Sequence, residues 1–111
     1  MMGKFSYNTQ ISATFEDRLL AHLQIVIGTK LRRGEPFFFT WKDDVSLGSG
    51  RTSLWIHPEA SLIFKFSGNR QPQINRAWLE ALTTAANSPS GLYIISEPQT
   101  AQKETDRALY G

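Results

Sequence analysis

Apolar residues recur at every second position near the start of the chain. Phe5 and Tyr7 alternate with polar neighbours, and Ile11, Ala13 and Phe15 do the same beyond Asn8-Thr9. A period of two marks a strand with one buried face, so a hairpin is predicted from Lys4–Tyr7 and Ile11–Phe15. The period then changes. Leu19, Leu20, Leu23, Val26, Ile27 and Leu31 fall three and four apart and line one face of a helix. Glu16-Asp17 at its start and Lys30, Arg32 and Arg33 in its last turn suit the helix dipole, and Gly34 is a natural stop. Arg18, His22, Thr29, Arg32 and Arg33 are expected on the opposite, polar side.

Three further strands are predicted over 37–42, 52–57 and 62–67, separated by the turn-rich run Asp43-Asp44…Gly48-Ser49-Gly50 and by Pro58-Glu59. Their short connections predict an antiparallel meander. A second helix over 76–87, begun by Asn75 or the nearby Pro72, turns Trp78, Leu79, Leu82 and Ala86 inward. Ser88-Pro89-Ser90-Gly91 ends it, and residues 92–96 form a last strand. The expected fold is α+β: one two-layer domain over 1–96, with two helices on a mainly antiparallel sheet of about five or six strands, in the order ββαβββαβ. Residues 97–111 read as a polar, flexible C-terminal tail.

Composition narrows the chemistry. With 111 residues, 41% of them hydrophobic and 20% charged, the chain supports one core. Seven Phe and three Trp predict that rings dominate that core. There is no cysteine, which removes disulfides, thiolate metal sites and cysteine nucleophiles. The start, Met1-Met2-Gly3-Lys4-Phe5, lacks the apolar run of a signal peptide, and the run from Pro36 to Phe39 is far short of a membrane span. A cytoplasmic protein without membrane contact is expected. The net charge of +2 is a mild basic bias, compatible with nucleic acid.

Three places could carry binding chemistry. Arg70, Asn75 and Arg76 flank the start of the second helix, where free N–H groups and guanidinium groups suit a phosphate. The plainer alternative makes Asn75 an N-cap and pairs Arg76 with Glu80. Gly48-Ser49-Gly50-Arg51-Thr52-Ser53 could cradle an anion, although it lacks P-loop spacing and glycines between strands are usually a turn. The third is a sheet face. If Leu54 and Ile56 point inward, Arg51, Ser53, Trp55 and His57 point outward, and Lys42 and Lys65 could share that face. Interleaved rings and cations suit base stacking and phosphate neutralisation. The competing reading covers Trp55 with the tail or a second subunit. His22 and His57 have no carboxylate partners at zinc-site spacing, and no carboxylate pair stands out as acid and base. Neither a metal, nor a cofactor, nor a catalytic residue is expected.

Phe15-Glu16-Asp17-Arg18-Leu19-Leu20-Ala21-His22-Leu23, Lys30-Leu31-Arg32-Arg33-Gly34-Glu35, Gly48-Ser49-Gly50-Arg51, Trp55-Ile56-His57-Pro58, Asn69-Arg70-Gln71-Pro72 and Asn75-Arg76-Ala77-Trp78 carry a resemblance. From Gly3 to about Pro98 the chain resembles a family of small actinobacterial domains of unknown function, often labelled ATP-dependent DNA ligase. That label implies AMP transfer to the lysine of a Lys-x-Asp-Gly motif. Lys42-Asp43-Asp44-Val45 has the lysine and an aspartate at the right offset but no glycine, and the chain is too short for a nucleotidyltransferase with its companion OB domain. Ligase activity is not expected. What the label implies for this chain is an accessory module that contacts DNA or another phosphate-bearing partner. Arg70, Asn75, Arg76, Arg51, Arg32, Arg33 and Lys65 are the expected phosphate contacts, with Trp55 as a stacking platform. The alternative is a homodimer, or another interaction domain, pairing through its aromatic sheet face.

Overall fold

In a computed structural model, which describes residues 1–43, 48 and 50–98, six strands and two helices follow in the order ββαβββαβ. β1 (Met2–Tyr7) and β2 (Ile11–Glu16) form the hairpin, and α1 (Asp17–Arg32) follows without a linker. β3 (Phe37–Lys42), β4 (Arg51–Ile56) and β5 (Leu62–Lys65) lead to α2 (Arg76–Ala86) and the two-residue β6 (Leu92–Tyr93). The order and the α+β class agree with the sequence pattern.

The strands are divided between two sheets, ordered β2-β1-β5 and β4-β3-β6. This corrects the expected meander, because β5 leaves β4 and pairs antiparallel with β1. The reason lies in the connection between β4 and β5. Asn8 N–H donates to the Ser61 carbonyl at 2.8 Å, and Ser61 N–H donates to Asn8 Oδ1 at 2.7 Å. Tyr7 donates its hydroxyl to the Trp55 carbonyl. These bonds deliver β5 to the free edge of β1, where Phe64 packs on Phe5 at 5.3 Å between ring centroids.

β6 runs parallel to β3 and ends early. Beyond it, the Ile95 carbonyl accepts the Trp78 indole N–H at 2.7 Å, so the chain turns toward α2 instead of continuing the ladder. Gly91 makes this approach possible. Its φ is +87°, and a Cβ there would stand 2.5 Å from the Phe38 carbonyl oxygen.

α1 packs against β1 and β2, α2 packs against β3 and β6, and the helices touch each other. The inner faces of both sheets and both helices feed one apolar cluster. Its centre is aromatic: Phe5 meets Phe39 and Trp41 edge-on, and Phe15 meets Trp41 at an interplanar angle of 90°. Such edge contacts add about 0.5–1.5 kcal/mol each beyond the area they bury. Past Arg32 the chain reverses at Gly34, whose φ of +70° lets the following N–H, that of Glu35, turn back to the Lys30 carbonyl at 3.0 Å.

The polar side of α1 differs from expectation at His22, which is fully buried. It lies between the helices, 4.6 Å from the Trp78 ring. Its Nε2 accepts the Asn75 N–H at 2.8 Å, so Nδ1 carries the proton donated to the Arg18 carbonyl at 2.7 Å. Helical periodicity placed His22 with the polar residues, but α2 packs on that flank and turns it into an interhelical contact.

Candidate nucleic-acid interface

Side chains alternate across a strand, so Phe37, Phe39 and Trp41 in the core send Phe38, Thr40 and Lys42 to the outer face of β3. On β4, Leu54 and Ile56 point in while Arg51, Ser53 and Trp55 point out. Antiparallel register then sets Phe38 opposite Trp55, Thr40 opposite Ser53 and Lys42 opposite Arg51. On the other side of β3, Tyr93 pairs with Thr40. One surface thus holds three half-exposed rings, Phe38 at 46%, Trp55 at 48% and Tyr93 at 50%, beside two cations. Phe38 and Trp55 meet edge-on with centroids 4.9 Å apart, and the Thr40 and Ser53 hydroxyls bond at 2.7 Å. None of these outward residues is acidic.

Of the sequence-derived candidates, Arg51 and Trp55 are brought together here, and Lys42 joins them. Lys65 does not share this face. It lies on the other sheet, opposite Lys4, because β5 pairs with β1. His57 lies past the end of β4, where its Nδ1 accepts the Glu59 N–H at 3.3 Å. Arg32 and Arg33 are exposed at the far end of α1. A helix of that length spans about 24 Å, so they stand well away from Arg70, which borders a pocket at the helix start with Asp17 and Arg18. Ser49 of the glycine-rich run, Asp44 and Val45 beyond Lys42, and residues 99–111 of the expected tail lie outside the described residues.

The start of α2 is held by the protein itself. Asn75 Oδ1 caps the helix, accepting from Ala77 N at 3.0 Å and Trp78 N at 3.3 Å. Asn75 Nδ2 donates to Glu97 Oε2 at 2.8 Å and to the Pro98 carbonyl at 3.4 Å. All four bonding positions of that amide are therefore in use. Glu97 also receives Arg18 as a fork, Nε to Oε1 at 3.0 Å and Nη2 to Oε2 at 2.6 Å, while Arg18 Nη1 reaches the Gln73 carbonyl at 2.6 Å. The Arg18 guanidinium, with help from Asn75, lowers the Glu97 carboxyl from 4.5 to about 2 against the opposing effect of burial. The same pairing raises Arg18 above its ordinary value. Arg70 and Arg76 remain exposed beside this junction, without a carboxylate within salt-bridge distance among the described residues.

A second carboxylate, at the start of α1 beside Arg18, anchors the segment that follows β5. Asp17 accepts from Gly68 N at 2.8 Å and from Ser67 N at 3.2 Å. The Gly68 N–H is the main cause that keeps its carboxyl below 3.8. Among the described residues no group of three or more His, Asp or Glu could hold a metal ion, and no helix is long and apolar enough to cross a membrane.

Sequence reasoning missed Phe38 and Tyr93. The signal for Phe38 was present, since alternation must set it opposite Phe37 and Phe39. Tyr93 had none, because its place depends on a pairing between distant segments.

Fold and surface together define a small two-sheet α+β domain with an open aromatic and basic sheet face. The chain belongs to the family described as a domain of unknown function (DUF7882), whose model matches residues 2–97. No curated protein and no solved structure matches it.

Proposed function

We propose that this domain is a non-catalytic module that binds single-stranded nucleic acid on the outer face of the β4-β3-β6 sheet. The reading rests on one observation: Phe38, Trp55 and Tyr93 share a surface with Lys42 and Arg51, and among the described residues no acidic strand residue points outward from it. Half-exposed rings offer π-faces on which unstacked bases stack regardless of sequence, and cations between them neutralise the backbone. A duplex keeps its bases stacked and cannot use such a platform. Arg70, Arg76, Arg32, Arg33 and Lys65 lie off this face. Their part is to raise the positive potential around it, and Asn75 serves as a cap.

The test is an anisotropy titration with a short single strand and its duplex at low and near-physiological salt. The single strand binds more tightly, and its affinity falls steeply between about 50 and 200 mM salt. No binding of the single strand at low salt refutes the proposal. A second reading draws on the apolar edge pair of Phe38 and Trp55, which also suits self-association. It predicts a concentration-dependent dimer that Trp55→Ala dissociates, whereas a monomer at high concentration eliminates it.

A further inference from the structure

The geometry points to a specific site at one end of this face: a cleft for a nucleotide that carries a phosphomonoester. The inference rests on the nucleic-acid reading above and names the ligand chemistry that reading leaves open. β6 stops at Tyr93, so among the described residues β3 continues past Thr40 with no strand partner on that side. A cleft of about 540 Å³ opens there, lined by Thr40, Lys42, Arg51 and Tyr93, by Thr14 of β2, and by the apolar Phe15 and Trp41. Its volume lies within the roughly 300–1,000 Å³ typical of small-ligand pockets.

Lys42 and Arg51 are direct cross-strand neighbours at the cleft. Like charges in that position destabilise a sheet, and neither cation has a carboxylate within salt-bridge distance among the described residues. Asp43, next in the chain, accepts the Thr52 hydroxyl at Oδ1, 2.8 Å away. Trp41 and Thr52 form the neighbouring cross-strand pair, so that bond lies off the outward face. An anion between the two cations would relieve their repulsion. A phosphomonoester carries close to two negative charges at neutral pH where a phosphodiester carries one, and it exposes three acceptor oxygens. The half-exposed Tyr93 ring stands beside the cations, placed to stack on the attached base. β2 also lines the cleft through Thr14, which suits the end of a strand better than its middle.

Two sources present this chemistry: the phosphorylated terminus of a single strand and a free nucleoside monophosphate. The full chain is titrated with short oligothymidylates bearing a 5′-phosphate, a 3′-phosphate or neither, and separately with thymidine monophosphate and thymidine. A phosphorylated end is expected to bind about tenfold more tightly than the unphosphorylated strand. Lys42→Gln with Arg51→Gln lowers affinity for every strand and abolishes that preference, with circular dichroism confirming the fold. Thymidine monophosphate competing as well as a phosphorylated strand assigns the cleft to free nucleotides. Thymidine monophosphate binding that the double variant abolishes keeps the cleft even if no oligonucleotide binds, in which case only the single-strand reading falls. Equal binding of phosphorylated and unphosphorylated strands, with no binding of thymidine monophosphate, overturns the cleft and leaves the stacking face standing.

Discussion

Trp55→Ala tests the stacking face most directly. The indole is half exposed, while Trp41 and Trp78 are buried. It packs edge-on against Phe38, with ring centroids 4.9 Å apart. Losing such a pair costs about 0.5–1.5 kcal/mol, which a domain with a net stability of roughly 5–15 kcal/mol tolerates. The Tyr7 hydroxyl bonds the backbone carbonyl of Trp55, so that tie between the sheets survives the substitution. Loss of one base–aromatic stack removes about 1–3 kcal/mol of binding, a rise in Kd of about 5- to 150-fold. Titration of a short single strand by anisotropy measures the change, and urea denaturation measures the stability loss. Tryptophan fluorescence gives a second readout, since an oligonucleotide on this face quenches Trp55 before the buried pair. Ile63→Ala is the control, because Ile63 is equally exposed, at 50%, but lies on the other sheet. An unchanged Kd for Trp55→Ala, or an equal loss in Ile63→Ala, refutes the assignment of the face.

Three further outcomes concern the scaffold. Gly91→Ala forces a side chain against the Phe38 carbonyl at a φ of +87°, and urea denaturation should show a loss of about 1–3 kcal/mol. Thr9→Gly should stabilise by up to about 1 kcal/mol in the same assay. Thr9 is a β-branched residue held at a φ of +58°, where glycine is unstrained, and the gain is partly offset by glycine's freedom in the unfolded chain. The third outcome is acid sensitivity. Glu97 is depressed from 4.5 to about 2, so on acidification the unfolded chain takes up its proton first. The Arg18–Glu97 contribution is complete above pH 4.5 and is lost as pH falls through about 2; with both side chains about a third exposed, it is worth at most about 1 kcal/mol. Asp17 adds to the loss in the same direction below 3.8. Urea midpoints measured from pH 5 downward should fall more steeply for the native chain than for Glu97→Gln, and identical slopes reject the pairing.

Local pattern carried much of this structure. The alternation of Phe5, Tyr7, Ile11, Ala13 and Phe15 marked the hairpin, and the Leu19–Leu31 stripe with Gly34 marked the first helix to within a residue or two. The inward direction of Leu54 and Ile56 set Arg51 and Trp55 outward before any pairing was known. These features depend on neighbours within a turn of helix or two positions of strand, where backbone geometry alone decides which side chains share a face. What the sequence left open depends on distant segments. β5 joined β1 and β6 ran parallel to β3 because the bonds of Ser61, Trp55 and Ile95 delivered those strands to particular edges. The same choices separated Lys65 from Trp55 and set Tyr93 beside Lys42 and Arg51. Packing of α2 on α1 buried His22, and the fold brought Arg18 to Glu97 across 79 positions of sequence. No local periodicity encodes such meetings. They follow from the shared aromatic core and from the requirement that buried polar groups find partners, and only the assembled chain satisfies both.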